Sequence, residues 1–71
     1  MNQSPLKNKI MKLYIFNQET NEIATIVNGE TNEACEAKAS ELNFAQDLYA
    51  WTYTTGNELF ETTETTEVEC E

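Results

Sequence analysis

Seventy-one residues carry 13 Asp and Glu against four Lys, with no His, for a net charge of −9. A field of that sign repels nucleic acid and anionic membranes and attracts basic protein surfaces, while the length allows one domain near the lower limit for a self-sufficient hydrophobic core. At 39% hydrophobic and 10% aromatic residues the chain is too apolar for a wholly disordered acidic segment, so a folded core is expected.

Residues 1–11 read as a flexible leader. They contain no acid and no periodicity, and Met11 is a candidate alternative start. From Lys12 to Asn17 apolar residues alternate, with Leu13 and Ile15 on one face and Tyr14 and Phe16 on the other, which predicts a first strand. The polar run 17–22 is of hairpin length, and Ile23 to Val27 gives a second strand, with Ile23 and Val27 facing away from Ala24 and Ile26. Asn28-Gly29 ends it. Thr31 stands at an N-cap position with Glu33 and Glu36 near the positive end of the helix dipole, so a helix is predicted over Asn32 to about Leu42. Its apolar stripe is Cys35, Ala39 and Leu42, and its outer face carries Glu33, Glu36, Lys38 and Glu41.

Leu48 to Thr54 alternates again, with Leu48, Ala50 and Thr52 on one side and Tyr49, Trp51 and Tyr53 on the other, predicting a third strand. The expected fold class is α+β. Residues 12–60 form a ββαβ domain, a three-stranded antiparallel sheet in the order 2-1-3 with one helix on one face. In that arrangement Leu13, Ile15, Leu48 and Ala50 face the helix, and Tyr14, Phe16, Tyr49, Trp51 and Tyr53 form an aromatic platform on the uncovered face. Leu59 and Phe60 are placed to add a short strand or to dock on the sheet. Residues 61–71 are almost wholly Thr and Glu, the composition of a disordered acidic tail.

Little in the chain suggests catalysis, so it is not expected to be an enzyme. There is no His to activate Cys35, Cys70 or a Ser, and two Cys at distant positions are read as reduced thiols, too few for a zinc site. One Asp and scattered Glu do not make a calcium loop, and a single Gly29 ahead of the helix does not make a phosphate cradle. No cofactor and no metal is expected. No apolar run approaches the ~20 residues needed to span a bilayer, which points to a cytoplasmic protein.

The remaining features describe a binder. Glu33, Glu36 and Glu41 on the helix, and Glu58, Glu61, Glu64 and Glu67 further on, offer carboxylates to a basic partner. Helical Glu three or four positions apart lie roughly 5–6 Å from one another, a spacing comparable with phosphates along a DNA strand, which makes DNA mimicry a working hypothesis. Tyr14, Phe16, Tyr49, Trp51 and Tyr53 supply the alternative, a homodimer pairing through the aromatic platform with the acidity serving solubility.

In its profile, through the short Lys12-Leu-Tyr-Ile-Phe16 opening, the strand, strand, helix, strand order and the acidity from Leu13 to Glu71, the chain resembles small inhibitors that bacteriophages carry against host defence, particularly anti-CRISPR proteins. Those proteins share no signature, so the resemblance transfers no residue role. It implies a mode of action in a bacterial host cell: blocking the basic nucleic-acid-binding surface of a defence protein.

Overall fold

A computed structural model describes residues 10–56 and 58–70, so the expected leader lies outside the described residues except for its last two positions. The elements are β1 (Met11–Asn17), β2 (Glu22–Gly29), α1 (Asn32–Glu41), β3 (Tyr49–Thr52) and β4 (Phe60–Glu69). They form a small α+β domain in which one helix lies on a four-stranded mixed sheet of order β3-β1-β2-β4. β1 is antiparallel to both β2 and β3, as the sequence predicts, while β4 adds parallel to β2. Met11 belongs to β1 rather than to a leader.

The β1–β2 turn is closed by Asn17, whose Oδ1 accepts from the Glu19 and Thr20 backbone N–H groups, and by Asn21 at φ 67°. α1 starts where Thr31 Oγ1 accepts from Ala34 N at 3.1 Å. At its other end Asn43 at φ 72° donates its N–H to Ser40 O, and Phe44 donates to Ala39 O. This pair of bonds is the Schellman motif, and it turns the chain so that Phe44 packs against the core. Leu42, expected in the buried stripe, is instead the C-cap and is exposed.

Cross-strand register sets the faces. Leu13 opposes Val27, and Ile15 opposes both Thr25 and Trp51, so all five share the helix side. The fully buried cluster is Leu13, Ile15, Val27, Cys35 and Ala39, with Phe44, Tyr49, Trp51, Tyr53 and Val68 packed around it. Two expectations are therefore corrected. Ala50 pairs with Phe16 on the uncovered face, and Leu48 precedes β3 and is exposed. The aromatic platform does not exist as a unit, because Tyr49, Trp51 and Tyr53 lie on the helix side and only Tyr14 and Phe16 remain opposite. The cause is volume. A helix that buries Cys35 and Ala39 leaves room that small residues of β3 cannot fill, and close packing selects the large alternate set.

A bulge at Ala24 brings Ile23 opposite Phe16, and Ile23 and Ile26 are buried outside the cluster beneath the helix. Alternation alone would have kept Ile23 with Val27. Opposite this bulge, residues 62–65 loop out of β4 before pairing resumes at Thr66. The bulged turn ties itself down: Thr62 N donates to Thr65 Oγ1, Glu64 N to Thr62 Oγ1, and Thr65 Oγ1 to Ile23 O. The segment expected as a disordered tail is thus the longest strand of the sheet, and Cys70 N extends its ladder to Asn28 O.

Candidate functional site

All twelve described carboxylates are exposed, and they fall largely on two elements. Glu33, Glu36 and Glu41 project from α1, while Glu61, Glu64, Glu67 and Glu69 lie along β4, the edge strand. Glu58 stands in the connection that carries the chain from β3 at one edge to β4 at the other. That connection borders a depression over the uncovered face with Phe16, Thr52 and Leu59. The acidic residues singled out from the sequence are therefore surface residues, but on separate elements rather than on a helix and a loose tail.

Three of them are engaged inside the fold. Glu36 accepts a 2.9 Å hydrogen bond from the Tyr53 hydroxyl, which also donates to Asn32 O at 3.3 Å. Burial, followed by the Glu36 carboxylate, pushes the Tyr53 pKa up to about 12, because an ionised phenol there would lose its bond and face a like charge. Glu41 pairs loosely with Lys38 at 3.8 Å, one helical turn away. Glu67 is the most constrained. Its Oε2 accepts from Asn28 Nδ2 at 2.8 Å and from Lys12 Nζ at 3.1 Å, and these two donors hold its pKa below the ordinary carboxylate value.

Asn28 is the hub of this network. Only 7% exposed, it accepts from Lys12 Nζ at 2.9 Å and donates also to Glu69 Oε2 at 3.2 Å, so its side chain joins β1, β2 and β4 on the uncovered face. On the other face the buried Thr25 hydroxyl meets Thr66 at 2.9 Å, a second polar bond between β2 and β4. Sequence reasoning missed Asn28 and read it as the end of β2; its place two residues after Ile26, in phase with that face, was the available signal.

The aromatic residues are mostly structural. Trp51 Nε1 donates to Phe44 O at 3.1 Å, and the Phe44 and Tyr49 rings meet edge to face at 4.9 Å. Tyr14 and Phe16 are half-buried on the uncovered face with Ile26 and Thr52.

The structure also joins two residues that the sequence keeps apart. Cys35 of α1 and Cys70 after β4 are free thiols whose sulfurs converge above Gly29. Among the described residues no group of three or more His, Cys, Asp or Glu is placed to hold a metal ion, and no helix is long and apolar enough to cross a membrane. What the acidic arrangement can do chemically is accept hydrogen bonds and ion pairs from cations on another molecule. No family model, curated protein or solved structure matches the chain.

Proposed function

We propose that this protein is a small acidic inhibitor that occupies the basic nucleic-acid-binding surface of another protein, of the kind a phage directs against host defence. One observation carries the reading: every described carboxylate is exposed, while the ion pairs among the described residues engage only Glu41 and Glu67. A chain that needed acidity only for internal pairing would carry more cations beside its acids. Unpaired carboxylates on α1 and on the β4 edge instead keep their charge available to Lys and Arg of a partner.

Spacing supports the same reading. On α1 Glu33 and Glu36 are three positions apart, about 5–6 Å, and on β4 Glu67 and Glu69 are two apart, about 6.6 Å, both comparable with phosphates along a nucleic-acid strand. The homodimer alternative has lost its main support, since three of its five aromatic residues pack under the helix.

The test is displacement of labelled duplex DNA from a panel of purified RNA-guided nucleases, in low and moderate salt. Competition that weakens with salt, and that disappears when Glu33, Glu36, Glu61 and Glu64 are changed to Gln, is the expected result. If the four-fold variant competes as well as the parent, the acidic surface is not the binding surface. If neither competes in low salt, the proposed target class is wrong.

A further inference from the structure

We propose that Cys35 and Cys70 form a reversible intramolecular disulfide above Gly29, fastening the C-terminal end of β4 to α1. The two cysteines are 35 positions apart in the chain and belong to different layers, yet the sheet brings them together. A Cβ placed on Gly29 would lie 2.9 Å from Cys70 Sγ, closer than real Cβ atoms come, and 3.0 Å from Cys35 Sγ, tighter than nearly all real contacts. Gly29 does not have a positive φ, so its backbone does not demand glycine. The missing side chain is what leaves room for both sulfurs.

The two thiols have unequal access. Cys35 is fully buried, with its sulfur 3.7 Å from the carbonyl oxygens of Met11 and Val27. Burial, and then the adjoining Cys70, raise its pKa, which makes it a slow first nucleophile. Cys70 is half-buried, donates to Ala34 O at 3.3 Å, and lines a cavity with Gly29, Glu30 and Glu69. It is the sulfur an outside reagent can reach.

The oxidant is a small-molecule disulfide. Cys70, as the thiolate, attacks one sulfur of the reagent, forms a mixed disulfide and releases one reagent thiolate. Cys35 then gives up its proton and attacks the Cys70 sulfur, expelling the second reagent thiolate. Two protein thiols have lost two protons and two electrons, and one disulfide has become two thiols; a dithiol reductant reverses the exchange. Because Glu30 and Glu69 border the entrance, a cationic disulfide such as cystamine should react faster than anionic glutathione disulfide, and salt should narrow the difference.

The experiment treats the reduced full chain with cystamine, natively and in urea, followed by intact mass and trypsin digestion without reductant. Cleavage after Lys38 separates the segment bearing Cys35 from the segment bearing Cys70, so a covalent link between those two peptides in a monomer reports the bond. The link should form faster in the native protein than in urea and should raise the thermal midpoint by about 10 °C or more. Cys70→Ser should keep the fold and give no link. Linking no faster natively than in urea, a persistent cystamine adduct on Cys70, or bonds only between chains would each overturn the proposal. None of these readouts involves a binding partner, so they are independent of the function proposed above.

Discussion

The two edge strands of the sheet invert what their sequences suggest. β3 is dense in aromatic residues and alternates cleanly, yet it spans four residues; β4 is nearly all Thr and Glu, yet it spans ten. β3 is held by what its side chains bury, with Trp51 and Tyr49 against Phe44 and the helix. β4 is held by polar bonds to β2, through Asn28, Thr25 and Ile23 O, with Val68 as its apolar contact with the core. A strand can thus be specified by partners that satisfy its hydroxyls and carboxylates as well as by an apolar stripe, and only the second kind announces itself in a periodicity.

The contrast can be broken from either side. The largest effect is expected at Trp51→Ala, which removes the ring from under the helix together with its bond to Phe44 O and should cost about 2–4 kcal/mol in urea unfolding. For a domain of this size that approaches the whole stability. A smaller loss, about 1–3 kcal/mol, is expected for Asn28→Ala, which strips a buried amide from between Lys12, Glu67 and Glu69. Its signature is local: hydrogen exchange should accelerate over Thr66–Glu69 while Leu13 and Ile15 stay protected, and uniform acceleration would mean that β4 is not a separable unit. Thr31→Ala, away from both edges, should cost about 1 kcal/mol through the lost cap, readable as a shift in urea midpoint with unchanged slope.

Two titrations sharpen the comparison further. Tyr53 has its pKa raised in the folded state, so its contribution is complete below pH 10 and is lost as pH rises from there towards about 12. Tyr53→Phe should remove that alkaline phase, and the difference in tyrosinate absorbance between the two proteins assigns it. Glu67 has the opposite sign. Its pKa is lowered in the folded state, so the stability that it adds is present above its ordinary value of 4.5 and disappears as pH falls through the lower folded value. The gap in thermal midpoint between the parent and Glu67→Gln should therefore close on acidification; a gap independent of pH would show that the Asn28 and Lys12 bonds do not depend on the Glu67 charge.

Much of the antiparallel half was legible in the sequence. Thr31 announced the helix start, the polar run 17–22 announced the hairpin, and the strand order 2-1-3 expected for these three strands places β3 beside β1, as observed. The phase of β3 was not legible, because alternation names two sets without saying which faces inward; the decision rests on the space left by Cys35 and Ala39. The bulge at Ala24 hid the shared face of Ile23 and Ile26 in the same way. A short strand at Leu59 and Phe60 was one of two sequence expectations, but the run of β4 on to Glu69 was not legible, because a four-residue loop erases its period and its partner strand lies far back in the chain. The acidic surface was legible as composition, but Asn28 as its hub and the meeting of Cys35 with Cys70 depend on that distant parallel pairing.

That pairing also governs the order of assembly. The hairpin and the helix draw on near neighbours, whereas Asn28 and Glu69 are 41 positions apart, and such distant closure slows folding. During the interval β2 presents an unpaired edge bearing Ile23, Ile26 and Val27, while the segment that will cover it carries Glu61, Glu64, Glu67 and Glu69. Charges along the incoming strand repel their counterparts on other chains, so the edge waits for its own β4 with less risk of aggregation, and the composition that conceals this strand from a sequence reader also protects the unfinished fold.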